Sequence, residues 1–216
     1  MEMNDTFNYI VNKFDINLDG RYFIDIPEMV GSVALVKLFA ELGFKKGAEI
    51  GVDRGLFSEY MSQNIPGLKL ICVDPWLKAA YDPKLSQMSV EQDYFEGCYQ
   101  ETVKRLAPYN CQIIRKTSME ALKDVPDESL DFVYIDANHD FVNFSQDLHY
   151  WIKKVRPGGI IAGHDYVNYS YRKFNHVKRA LEAYAICYRM LPLFAVMYDG
   201  NGLKRDKYRS WFWVKK

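Results

Sequence analysis

Short runs of apolar and β-branched residues alternate along this chain with longer segments of helical period, and that alternation constrains the fold more than any other feature. The runs are Gly47–Gly51, Lys69–Val73, Cys111–Arg115, Leu130–Ile135 and Ile160–Ala162. Between them Gly55–Gln63, Ser89–Leu106, Ser118–Leu122 and Phe141–Val155 read as helices. Pro27–Leu42 reads as a helix ahead of the first run, with Gly43 placed to stop it. Leu130–Ile135 is apolar almost throughout, as a parallel strand covered on both faces must be. Arg156–Gly159 reads as a turn, Lys173–Met190 as largely helical, and Leu193–Tyr198 with Ser210–Val214 as a closing hairpin. Repeated βαβ units of this kind give an α/β fold around a mostly parallel sheet.

At 216 residues the chain has room for one core, so residues 1–216 read as a single domain, with 1–27 an extension or lid and 28–216 the core. Lys+Arg and Asp+Glu are both 28, which leaves no global field toward nucleic acid or anionic lipid and points to a small-molecule partner. Lys173, His176, Lys178, Arg179, Lys204, Arg205, Lys207 and Arg209 form a local basic group, read as solvated charge. Cys72, Cys98, Cys111 and Cys187 lack CxxC spacing, so free thiols in a reducing compartment are expected. The first residues lack the basic start and apolar stretch of a leader, and no apolar run approaches the ~18 residues of a membrane span. The expectation is a cytoplasmic protein with no membrane partner; a homodimer is left open.

The chemistry gathers at strand-to-helix turns. Glu49-x-Gly51-x-x-x-Gly55 places glycines where backbone passes close to a ligand and a helix N-terminus offers free N–H groups, although an ordinary tight turn reads the same way. Asp74 ends the second run about twenty residues after Gly51, the offset at which a carboxylate meets ribose hydroxyls in doubly wound folds. A dinucleotide fingerprint needs glycine where Asp53 stands, which disfavours the pyrophosphate of NAD. An acidic turn suits a ligand with a ribose and adenine, no phosphate, and positive charge.

Glu49-Ile-Gly51-Val-Asp-Arg-Gly55, Val73-Asp74-Pro-Trp76, Asp131-Phe-Val-Tyr-Ile-Asp136-Ala-Asn-His139, Val155-Arg-Pro-Gly-Gly159 and Gly163-His-Asp165-Tyr166 occur in that order. Together they resemble class I S-adenosylmethionine-dependent methyltransferases, within them the small O-methyltransferases related to catechol and macrolide-sugar O-methyltransferases. The resemblance implies a Rossmann-like three-layer sandwich with a seven-stranded sheet of order 3-2-1-4-5-7-6, the last strand antiparallel. It implies methyl transfer from S-adenosylmethionine to a hydroxyl of a small molecule. A non-catalytic adenosyl-nucleoside-binding protein and a family-related hydroxylase are the alternatives.

The same resemblance implies roles for single residues. Glu49, Gly51 and Gly55 would hold the methionine part and Asp74 the ribose, while Asp53 and Asp136 add negative charge near a sulfonium and an ammonium. Trp76 would lay its ring beside the adenosine, or anchor a loop. Ser118 would touch the adenine edge beside Met119, or cap a helix. His139 stands where catechol-type relatives carry a lysine base, and reads as general base or as a helix-start residue. Asp136 and Asp165 match two carboxylates that hold magnesium in metal-dependent relatives, but Tyr166 stands where those carry asparagine. A divalent cation would then need nitrogen from His139 or His164; otherwise Asp165 orients one of those imidazoles as part of the catalytic pair. His149 and His176 fall inside expected helices and read as structural or solvated.

Overall fold

β5 (Leu130–Ile135) runs through the middle of an eight-stranded sheet and shows how the layers form. Phe132 and Tyr134 point into one apolar cluster, Val133 and Ile135 into the other, so each face of the sheet needs its own cover of helices. The computed structural model describes residues 5–80, 91–167, 176–198 and 208–216.

On the first face lie α1 (Asp5–Lys13), α2 (Gly31–Glu41), α3 (Leu56–Asn64) and α4 (Gln92–Leu106), burying Ile10, Leu35, Phe39, Met61 and Phe95. On the second lie α5 (Ser118–Ala121), α6 (Phe141–Trp151) and α7 (Val177–Cys187), burying Ala121, Phe144, Leu148, Trp151 and Leu181. Ring packing fixes the centre of the first face. Phe39 stacks on Phe132 at 4.3 Å, and a Cβ at Gly47 would lie 2.1 Å from the Phe132 ring, so that strand position admits only glycine.

The remaining strands are β1 (Phe23–Val30), β2 (Lys46–Ile50), β3 (Lys69–Val73), β4 (Cys111–Ile114), β6 (Val155–Gly163), β7 (Leu193–Met197) and β8 (Trp211–Val214). Their order is β1-β7-β8-β6-β5-β2-β3-β4, with β8 antiparallel to both neighbours and every other pair parallel. Read from β4 to β7, this is the expected 3-2-1-4-5-7-6 order. The eighth strand was not expected. Residues 23–30 pair with β7 as a parallel edge strand instead of opening a helix at Pro27. Ile24, Ile26 and Met29 are buried from this strand, and its register slips between Ile26 and Val30, around Pro27. Proline is tolerated there because the ladder is already broken and the edge needs no donor. The helix therefore begins at Gly31.

The expected turn at Arg156–Gly159 is also absorbed into a strand, β6, with an irregularity in its pairing between Leu130 and Phe132. The closing hairpin is present, with Phe194 opposite Phe212 and Ala195 opposite Trp211. Lys173, Lys204, Arg205 and Lys207 fall outside the described residues, as do residues 81–90. No helix among the described residues is long and apolar enough to cross a membrane.

Candidate active site

Strand order reverses direction between β2 and β5, and open α/β sheets bind ligands outside the carboxyl ends of strands at such a point. Gly51 sits there with φ +90°, and a Cβ on it would come within 2.2 Å of the Asp136 carbonyl oxygen. The Gly51 and Asp136 backbones thus meet at the floor of the site. The turn continues through Asp53, exposed and left-handed at φ 50°, to Gly55 at φ 71°, where α3 begins.

Asp74 directly follows β3 and holds this turn by its backbone. Its Oδ2 accepts from the N–H groups of Val52 (2.9 Å) and Asp53 (3.0 Å), and its Oδ1 from that of Trp76 (2.8 Å). Burial raises its pKa, and these three hydrogen bonds only partly counter the rise. A carboxylate has room for about four such bonds, so about one acceptor position is left for a ribose hydroxyl. Glu49 is likewise pinned: it is 3% exposed, and its Oε2 accepts a short hydrogen bond from Ser58 on α3.

Trp76 does not meet the expectation of a ring lying beside adenosine. It is 1% exposed, its indole N–H donates to the Asp53 carbonyl at 2.7 Å, and its ring packs 5.1 Å from Tyr99. The indole therefore braces the turn from behind. Thr102 on α4 adds a second hydrogen bond to the same Asp53 carbonyl, 2.9 Å.

Ser118 is not the cap of α5. Thr117 is, with a reciprocal capping box to Glu120, because its hydroxyl stands one position earlier, where the first free N–H groups point. That frees the Ser118 hydroxyl, which donates to Asp147 on α6. Met119 beside it is half-buried against the second apolar cluster.

Asp140, not His139, caps α6, accepting from Val142 (3.0 Å) and Asn143 (3.1 Å). His139 is left to the site, and its carbonyl accepts from the His176 N–H at 2.9 Å. Its Nε2 lies 3.0 Å from Asp165 Oδ2 and 3.5 Å from Asp136 Oδ1. Burial lowers the His139 pKa, but the hydrogen bond to Asp136 and the charges of Asp165, Asp136 and Asp140 outweigh it, and the net shift is upward. His164 Nδ1 shares the Asp165 oxygen at 3.3 Å. Asp136, His139 and Asp165 each offer a ligand atom within 4.8 Å of the others, a set compatible with a divalent cation. His149 and His176 are structural as expected, the first bonded to the Tyr184 hydroxyl and the second accepting from the Phe141 N–H.

Sequence reading missed Ser58 and Asp147. Asp147 left a signal, as a carboxylate between Phe144, Leu148 and Trp151 on the apolar face of its helix. Ser58 left none, since a serine in a helix over a sheet is ordinary.

Residues 48–166 match a family model described as a methyltransferase domain, more than half of the chain. The chain belongs to this methyltransferase family. Its structure resembles an O-methyltransferase from Bacillus cereus in complex with SAH, with a TM-score of 0.59 and 16% identity over 100% of this chain and 93% of that one. It also resembles the O-methyltransferase TomG from Streptomyces achromogenes, involved in tomaymycin synthesis and solved with SAM, at TM-score 0.59 and 15% identity over 100% and 92%. A curated relative, the uncharacterized protein y4gI of Sinorhizobium fredii, is 32% identical over 80 residues, 34% of this chain. The chain spans 9% of that relative's length. The Rossmann-like fold inferred from the five motifs is thus the fold observed.

Proposed function

We propose that this protein transfers a methyl group from S-adenosylmethionine to a hydroxyl of a small molecule, with His139 as general base. The observation that carries the reading is the His139–Asp165 contact at the carboxyl ends of β5 and β6, beside the Gly51 turn. The donor is a cation, and Glu49, Asp53 and Asp136 give the cleft the opposite sign. Asp74 takes one ribose hydroxyl, Ser118 with Met119 the adenine edge, and Gly51 the methionine backbone.

In the transfer, the acceptor oxygen attacks the methyl carbon in line with the carbon–sulfur bond. The new C–O bond forms as the C–S bond breaks, and the sulfonium leaves as a neutral thioether. The chain's main contribution is alignment, together with removal of the hydroxyl proton. With Nε2–H directed to Asp165, the free lone pair of His139 is on Nδ1, and that nitrogen takes the proton. Asp165 then stabilises the imidazolium.

A second reading rests on the three ligand atoms within 4.8 Å. Asp136, His139 and Asp165 would hold a divalent cation that orients the acceptor hydroxyl and lowers its pKa, and the imidazole donor suits manganese or zinc better than magnesium. Here Nε2 must be the unprotonated nitrogen, so the two readings assign the ring opposite tautomers.

Calorimetric titration with S-adenosylhomocysteine, followed by S-adenosylmethionine turnover over a panel of phenols and sugars, tests the reading. Micromolar binding with methylation of an oxygen supports it. No binding overturns it, and binding without transfer to any hydroxyl moves the protein to the class of nucleoside-binding proteins.

A further inference from the structure

Asp147 is 2% exposed, and no described cation pairs with it. Burial without a counter-charge pushes its carboxyl up to about 7, the Ser118 hydrogen bond pulling the other way and the Asp140 charge adding to the rise. A helix gains nothing from a carboxylate in such a place, where leucine or methionine would bury more surface at no desolvation cost. What the carboxylate does have is one defined partner, the Ser118 hydroxyl.

Ser118 stands in the first turn after β4, at the same end of the sheet as Asp74, whose N–H bonds to the Ile114 carbonyl of β4. A serine hydroxyl has one hydrogen and two lone pairs. With its hydrogen given to Asp147, Oγ is left with its lone pairs and can serve a neighbouring group as an acceptor only. Adenine carries an amino donor at C6, whereas hypoxanthine carries an oxygen acceptor at the same place. An acceptor fixed at that edge attracts the first and repels the second.

We propose that Asp147 is a positioning residue for base selection: by taking the Ser118 hydrogen it fixes Ser118 Oγ as an acceptor and makes the site choose adenine over hypoxanthine. The inference rests on the S-adenosylmethionine reading, which places the adenine edge at Ser118. Asp147 itself touches no part of the ligand.

The test compares calorimetric affinities for S-adenosylhomocysteine and S-inosylhomocysteine at pH 8, where Asp147 is ionised, in the wild type, Asp147→Asn and Ser118→Ala. The wild type should favour the adenosyl ligand by roughly tenfold or more, the usual consequence of leaving a buried polar group mispaired. The asparagine amide can accept from Ser118 or donate to it, so Asp147→Asn should admit both polarities and bring the two affinities within about threefold. Ser118→Ala should abolish the preference, and adding Asp147→Asn to it should change nothing further.

A preference unchanged in Asp147→Asn, or both affinities falling by the same factor, overturns the inference and leaves Asp147 a purely structural group. Should Asp147→Asn fail to fold, Ser118→Ala decides alone, and a retained preference there refutes the proposal. If the wild type binds neither ligand, the cofactor reading itself has failed, and this inference with it.

Discussion

His139 Nε2 and Asp165 Oδ2 lie 3.0 Å apart, although one residue follows β5 and the other follows β6. β5 and β6 are parallel neighbours, Ile135 paired with Gly163, so residues just past both strand ends are brought together by strand pairing. The contact fixes one tautomer of the imidazole and supplies a negative charge to the cation formed when it takes a proton.

Replacing His139 with alanine should therefore leave S-adenosylhomocysteine affinity within about threefold of wild type and lower turnover by roughly 10²–10⁴-fold, the usual contribution of a positioned base. Asp165→Asn keeps the shape and removes the charge, and should lower turnover less. Steady-state kinetics with calorimetry on both variants checks this. A parallel loss of binding in His139→Ala would remove the residue from catalysis.

Chelation separates the two tautomers. If His139 acts as base through Nδ1, turnover persists after exhaustive treatment with EDTA. Turnover lost on chelation and restored by manganese, with metal affinity reduced in Asp136→Asn, would establish the cation instead.

Glu49 depends on Ser58 for its place. Ser58→Ala removes a buried hydrogen bond to a carboxylate and should cost about 1–3 kcal/mol of stability, read as a lower midpoint in urea. It should also weaken S-adenosylhomocysteine severalfold, because Glu49 loses a donor that orients it. Unchanged affinity would place Glu49 outside the cofactor site.

Gly51→Ala should be among the most damaging single changes. Its φ of +90° is unfavourable for any side chain, and the added carbon would press on the Asp136 carbonyl. Strain and overlap together should cost roughly 3 kcal/mol or more and abolish cofactor binding. Thermal melts and S-adenosylhomocysteine titration read both effects.

Asp147 gives stability a pH dependence of known sign. Its carboxyl titrates at about 7 in the folded protein, well above the ordinary carboxylate value, so the folded state holds a proton that the unfolded chain has released. The stabilising share is complete below pH ~4, declines as pH rises toward 7, and is gone above it. At roughly 1.4 kcal/mol per pH unit, the total is on the order of a few kcal/mol. Asp147→Asn should lack this component, so the stability difference between variant and wild type should move in the variant's favour from pH 4.5 to pH 8. Parallel unfolding curves at both pH values would contradict the shifted carboxyl.

Much of this protein was legible in its sequence because the signals are local. The apolar run Leu130–Ile135, the glycines of the turn at 51 and 55, and the carboxylates Asp74, Asp136 and Asp165 follow from spacing along short stretches of chain, and the structure makes the run a central strand and places the turn and the three carboxylates just past the carboxyl ends of strands. β1 was missed because Ile24-Asp-Ile26 is brief and ends at a proline, and what makes it a strand is the open edge of β7, far along the chain. Trp76 was left between two readings because a tryptophan after a proline suits a loop anchor and a ligand platform equally; only the surrounding Asp53 carbonyl and Tyr99 ring decide that it is buried. The pairs His139–Asp165, Ser58–Glu49 and Ser118–Asp147 lie beyond what local spacing defines. Sequence determined which groups were present and at which strand ends; the tertiary structure decided which of them touch, since a hydrogen bond between distant residues is set by sheet pairing and helix packing.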